Sequence, residues 1–201
     1  DRIGGDGGQS IYEESSTPKH RIGEKLELSD GRVFRYGYTA AAVNAAELVS
    51  QDVSATALAD TDNIVIAASG DFSPAAGSYQ FQITLASITK DQYAGGYFHI
   101  VNDGGDGIGE GIQYRIKSNS ATGATTAGKV DIYLYDPIKV TLTTASDVAI
   151  TGNLWNNVRG AVGTADYIVS GVTPIAFTAN YYGWFQTAGI ALVASDGAIT
   201  I

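Results

Sequence analysis

The chain contains no cysteine and no methionine, only two histidines and four prolines, and twelve lysines and arginines against twenty-one acids in 201 residues. Without cysteine there are no disulfides, thiolate metal ligands, thiol nucleophiles or cysteine-held clusters, so the fold rests on non-covalent contacts or an oxygen-ligated ion. The two histidines are not expected to form a metal site with one another, and no His–carboxylate spacing stands out. His20 falls near the N-terminus, and His99 sits between aromatic and aliphatic residues of a strand-like run, where a packed, hydrogen-bonded ring is the expectation rather than a general base. A formal net charge of −9 is the wrong sign for a protein whose main task is to neutralise phosphates, which argues against direct nucleic-acid binding. No apolar run approaches the roughly 20 residues of a membrane-spanning helix, and no membrane partner is expected. The opening Asp1–Gly8 lacks the charged-then-apolar layout of a secretory signal.

The charge that is present is unevenly placed. Arg2, Lys19, Arg21, Lys25, Arg32 and Arg35 make up half of all the basic residues, and none follows Arg159. Residues 1–30 are rich in glycine, serine and charge and show little apolar periodicity, so alone they bury too little surface to offset the entropy of ordering. They read as an extended N-terminal arm, either a disordered tail or a segment that orders only against a neighbouring subunit.

From residue 31 to 201 the pattern is that of a β-rich body, divisible into two β subdomains with a boundary near 136–160. Short alternating runs bounded by Gly, Asn, Asp or Pro recur: Arg32–Tyr38, Asn63–Ala67, Tyr79–Leu85, Gly96–Val101, Gly111–Lys117 and Val130–Tyr135. This spacing predicts an all-β fold of sandwich or barrel type. Ala40–Val49 reads as the single short helix, because alanine and leucine are good helix formers. Ser118–Gly128 reads as a flexible connection. Asn180–Gly189 places four aromatics between two turn signals and reads as a strand completing a core or a subunit interface, with Gly183 marking a bulge or a close approach. Ile190–Ala194 and the Ser195–Gly197 turn then read as the end of a β-meander.

The acidic glycine-rich loop Asn102–Gly111 offers Asp103, Asp106 and Glu110 as oxygen ligands for calcium. The pattern does not meet the spacing of an EF-hand, and a solvated hairpin loop is the competing reading; no cofactor is expected. No Gly-x-Ser-x-Gly elbow is present, and Ser87–Lys90 meets a Ser-x-x-Lys pattern that chance supplies. Convergent carboxylates of a hydrolase leave no particular pair singled out. The twelve tyrosines either pin cross-strand register and fill interfaces or stack sugars. For the second role Tyr97, Tyr114 and Trp155 are the candidate platforms.

Three segments resemble virion structural proteins of tailed bacteriophages, in particular capsid decoration or cement proteins. They are Asp30–Tyr36 with the Ala-rich stretch after it, Asp91–Tyr97 through Ile108–Ile116, and Tyr182–Ala191. The resemblance implies a non-enzymatic protein on the capsid surface of the virion, a trimer or other homo-oligomer that binds the major capsid protein. On that basis Arg21, Lys25, Arg32 and Arg35 are the expected basic contacts, and Tyr182, Trp184 and Phe185 the aromatic ones. The alternative is a head-fibre or carbohydrate-binding module on the virion surface.

Overall fold

The structure is a computed structural model that describes residues 8–51, 61–66, 74–161 and 168–194. Among the described residues there are twelve strands and no helix, so the expected all-β class holds. The strands form two six-stranded antiparallel sheets. They fall into two compact units, one drawn from residues 1–52 and 154–201, the other from 53–153.

The first unit contains β1 (Lys25–Glu27), β2 (Val33–Tyr38) and β3 (Leu48–Gln51), and from the later part of the chain β10 (Val158–Gly160), β11 (Val169–Val172) and β12 (Tyr182–Ala188). Their order is β1-β2-β12-β11-β3-β10. A parallel bridge from Thr39 to Val158 joins the end of β2 to β10, so the sheet curls back on itself. Central β12 buries side chains on both faces. Phe185 packs on one side with Val43, Val49, Val158 and Phe177. Trp184 packs on the other with Ile11, Phe34 and Tyr36.

Gly37 and Gly183 are register partners on the Phe185 face. A Cβ on Gly37 would overlap the Phe185 ring and the Trp155 carbonyl, and one on Gly183 would overlap the Phe177 ring. The missing side chains let two phenyl rings approach with centroids 5.1 Å apart. The close approach expected at Gly183 is therefore to a ring, while the register shift in this strand pair lies later, between Gln186 and Ala188.

Ala40–Val49 is not helical. Val43 exchanges both backbone hydrogen bonds with Phe177, and the N–H groups of Ala40 and Ala46 donate to the carbonyls of Val158 and Thr173. Ala46 has φ of 57°, in the left-handed region, and the chain enters β3 at Leu48. Long-range pairing and burial of Val43 override the local preference of the alanines.

The N-terminal segment also departs from expectation. From Gly8 onward it lies on its own unit: Ser15 and Tyr182 exchange both backbone bonds, Glu14 accepts from the Thr178 N–H and hydroxyl, and Ile11 is fully buried. A few anchors supply what periodicity does not, so residues 8–30 need no neighbouring subunit to find contacts. Residues 1–7 lie outside the described residues.

The second unit holds β4 (Thr61–Val65), β5 (Gln80–Thr84), β6 (Tyr97–Asn102), β7 (Gln113–Asn119), β8 (Lys129–Leu134) and β9 (Asp147–Thr151). The order β4-β9-β6-β7-β8-β5 contains the Greek-key arrangement, in which β9 returns to lie beside β6 after the β6-β7-β8 meander. An antiparallel bridge between Ile66 and Ile83 joins the two outer strands and closes the sheet into a barrel. Phe81, Phe98, Tyr114, Ile116, Ile132 and Ile150 belong to the apolar cluster that fills it.

The Ser118–Gly128 connection is pinned rather than free. Outward-facing Asp131 and Gln82 are buried beneath it, with Gln82 Nε2 donating to Asp131 Oδ1 at 2.6 Å and the Thr125 hydroxyl donating to the same carboxylate.

Candidate functional site

Two strands of the first unit, β3 and β11, build a surface whose apolar side chains are left uncovered. They pair antiparallel with Val169 opposite Ser50 and Val172 opposite Leu48. Gly171 sits at φ of 150°, and a Cβ there would lie 2.7 Å from the Gln186 carbonyl, so glycine allows β11 to lie close against β12. Leu48, Trp155, Val169, Val172, Ala188 and Ala191 line a shallow groove of about 300 Å³ on this side. Trp155 is fixed there by its Nε1–H donating to the Ser170 carbonyl at 3.0 Å, with the Arg35 guanidinium 4.9 Å from its ring centre.

The chain then leaves β12 as an extended segment that is not part of any strand. Gln186 Nε2 donates to the carbonyls of Ala188 and Ile190, and the Ala194 N–H donates to the Ala46 carbonyl at 2.7 Å, so the segment is tied at both ends. Along this segment Ile190 is 94% exposed, Leu192 80% and Val193 about half, and Ile168 and Val169, where β11 begins, are about half exposed as well. Uncovered aliphatics at this density beside an apolar groove are the signature of a contact surface. The expected strand at Ile190–Ala194 is thus an exposed apolar strap; Ser195–Gly197 lie outside the described residues.

The basic candidates are largely occupied within the chain. Lys25 pairs with Glu27 at 2.6 Å, and Arg32 with Asp30 at 2.7 Å. Arg35 Nη1 donates to the Gly23 carbonyl at 2.8 Å. Arg21 lies exposed at a turn closed by Glu24, whose N–H donates to the Arg21 carbonyl. Trp184 and Phe185 are core residues, so they hold β12 in place instead of presenting a surface. Tyr182 is half-buried, its ring stacked with Tyr36 and tilted against Tyr38.

His20 is enclosed by the same aromatic group, its ring 4.8 Å from Trp184 and 5.1 Å from Tyr36, with Nδ1 2.9 Å from Glu24 Oε1. His99 Nε2 lies 3.0 Å from the Thr151 hydroxyl.

In the glycine-rich loop, Asp103 serves the backbone. Its carboxylate accepts from the N–H groups of Gly105, Gly107 and Gly109 at 2.9, 3.2 and 3.0 Å. The Gly109 and Gly105 donors hold its pKa below the ordinary carboxylate value, against the opposing effect of desolvation. Asp106 Oδ1 accepts from the Ile108 N–H, and Glu110 is exposed. Among the described residues these acids do not converge with other His, Asp or Glu side chains into a group able to hold a metal ion.

Of the three candidate stacking platforms only Tyr97 is well exposed, at 45%, whereas Tyr114 is 3% exposed inside the barrel and Trp155 is half-buried with the Arg35 guanidinium over its ring. Alternation carries the distinction: Tyr114 shares its face with Ile116, and Tyr97 faces opposite to Phe98 and Ile100. The sequence reading of Ile190–Ala194 as the end of a β-meander did not foresee its exposure, although an Ile-Ala-Leu-Val-Ala run without polar alternation is a signal that no single solvent face exists. No family model, curated protein or solved structure matches the chain.

Proposed function

We propose that the chain is a structural protein of a tailed-phage particle that binds the outer surface of the icosahedral shell and stabilises it, acting as a homo-oligomer such as a trimer and without turnover. The observation that carries the reading is the strap Ile190–Val193 beside its apolar groove, a surface whose exposure to water is unfavourable until a partner covers it. The partner would be the repeating major capsid subunit. The resemblance of Asp30–Tyr36 and Tyr182–Ala191 to decoration proteins supports the same direction, and these segments meet in the β2–β12 pair at the centre of the first sheet.

Cosedimentation tests the reading. Purified chain is mixed with expanded shells lacking it, or with free capsid subunits. Binding is expected to the shells alone, and a double substitution Ile190→Asp with Leu192→Asp should abolish it while leaving the thermal unfolding of the chain unchanged. Failure of the unsubstituted chain to associate with shells overturns it.

A further inference from the structure

The outer face of the second unit's barrel carries a different surface. Strand register sets Thr151 of β9, Tyr97 of β6 and Arg115 of β7 in one cross-strand row. The Tyr135 N–H donates to the Arg115 carbonyl at 3.1 Å and extends that row beyond the end of β8. Because Phe98, Tyr114, Ile116 and Leu134 point into the core, the residues between them point out. Tyr97 and Tyr135 are each 45% exposed, and Gln113, Arg115 and Lys117 are exposed beside them.

The row is arranged rather than merely exposed. The Arg115 guanidinium lies 5.5 Å from the centre of the Tyr135 ring, a cation–π contact that restrains its planar fork. His99, opposite Gln113 in register, is oriented by the Thr151 hydroxyl, and its ring lies 6.4 Å from that of Tyr97. Among the described residues Arg115 and Lys117 have no carboxylate at ion-pair distance, whereas Lys25 and Arg32 do. On a chain of net charge −9, two unneutralised cations side by side on one strand mark a place where an anion is favoured.

We propose that this row binds an acidic glycan. Arg115, with Lys117, would take a carboxylate or sulfate group through charge-assisted hydrogen bonds. The exposed Tyr97 ring would lie against the C–H face of a pyranose, and Gln113 and His99 would reach its hydroxyls. Tyr135 is a positioning residue that holds the guanidinium. A nucleic acid fits less well, because its phosphates call for a longer run of cations on a body that is not itself acidic. An acidic peptide would use the cations but has no comparable flat face to set on Tyr97. The inference is independent of shell binding, which uses other residues.

The test is an array of sialylated, uronate-containing and sulfated oligosaccharides with their neutral counterparts, probed with the full chain. Calorimetric titration with the strongest acidic sugar, with oligo-dT and with poly-glutamate follows. Acidic sugars are expected to bind above the neutral ones, and Arg115→Ala or Tyr97→Ala to weaken binding by about tenfold or more. Tyr135→Ala should weaken it less, and all three exposed variants should keep the parent unfolding temperature and the parent cosedimentation with shells. Absence of acidic-sugar binding, or binding unchanged in Arg115→Ala and Tyr97→Ala, overturns the proposal. Tighter binding of oligo-dT or poly-glutamate also overturns it and reassigns the row to that polyanion.

Discussion

The Tyr36 phenol donates to Gln9 Oε1 at 2.7 Å, joining the second strand to the N-terminal segment. The same phenol oxygen accepts from the Lys19 N–H at 3.1 Å, while Gln9 Nε2 and the Gln9 carbonyl are engaged by the Tyr182 carbonyl and Trp184 Nε1–H. One hydroxyl thus fastens two points of a segment that otherwise has only Ile11 as a deep apolar anchor.

Tyr36→Phe removes that hydroxyl and strands a buried acceptor and a backbone donor. The expected loss is about 1–3 kcal/mol. It should appear as a lower urea midpoint with an unchanged slope, together with earlier protease cleavage between residues 8 and 24. A variant with the parent midpoint and cleavage pattern would show that the segment is held by other contacts.

Much of the sheet structure was legible because alternation is a local signal. Val33–Tyr38 and Tyr97–Asn102 show it and are strands, whereas the strand Tyr182–Ala188 fills both faces with aromatics and was marked instead by the turn signals around it. Ala40–Val49 was misread because its partners, Val158, Thr173 and Phe177, lie more than a hundred positions away and leave no trace in local composition. The attachment of residues 8–30 was hidden for the same reason: its anchors, among them Gln9, Ile11, Glu14 and Ser15, find their partners on β2 and β12 or at Thr178 and follow no local period. Surface sites were partly legible. Alternation separates Tyr97 from Tyr114, but nothing in the local sequence tells that Arg115 is set in one cross-strand row with Tyr97 and against the Tyr135 ring.

Gly183→Ala should be costly although the change is one methyl group. The added carbon would run into the Phe177 ring, and overpacking of this kind costs about 1–3 kcal/mol. Phe177→Leu, destabilising alone, should make the Gly183→Ala change cheaper. A double-mutant cycle in urea reads this coupling; simple additivity would mean that the ring yields without cost.

Asp103 contributes an acid-sensitive component. Its folded pKa lies below the unfolded value of about 3.9, so its contribution is present above that pH and is lost as pH falls through the lower folded value. The melting temperature of the parent should therefore drop more steeply than that of Asp103→Asn as pH falls from about 4 to about 2. Parallel profiles would assign the acid sensitivity to other carboxylates.

Asp131→Ala should release the loop above it. The Thr125 hydroxyl loses its acceptor and Gln82 Nε2 keeps only the longer bond to Thr126 Oγ1 at 3.3 Å, at an expected cost of about 1–3 kcal/mol. Hydrogen exchange across residues 120–128 should accelerate, while amides of β6 and β9 keep their protection. Unaltered exchange in the loop would show that the carboxylate is not its anchor.

The Ile66–Ile83 bridge has a consequence for crowding. An open six-stranded sheet exposes two rows of unpaired amides, each able to recruit the same edge of another molecule and seed fibrils. Joining the outer strands leaves fewer such templates in the second unit. At high concentration, contacts between second units would then run mainly through side chains rather than through unpaired strand edges.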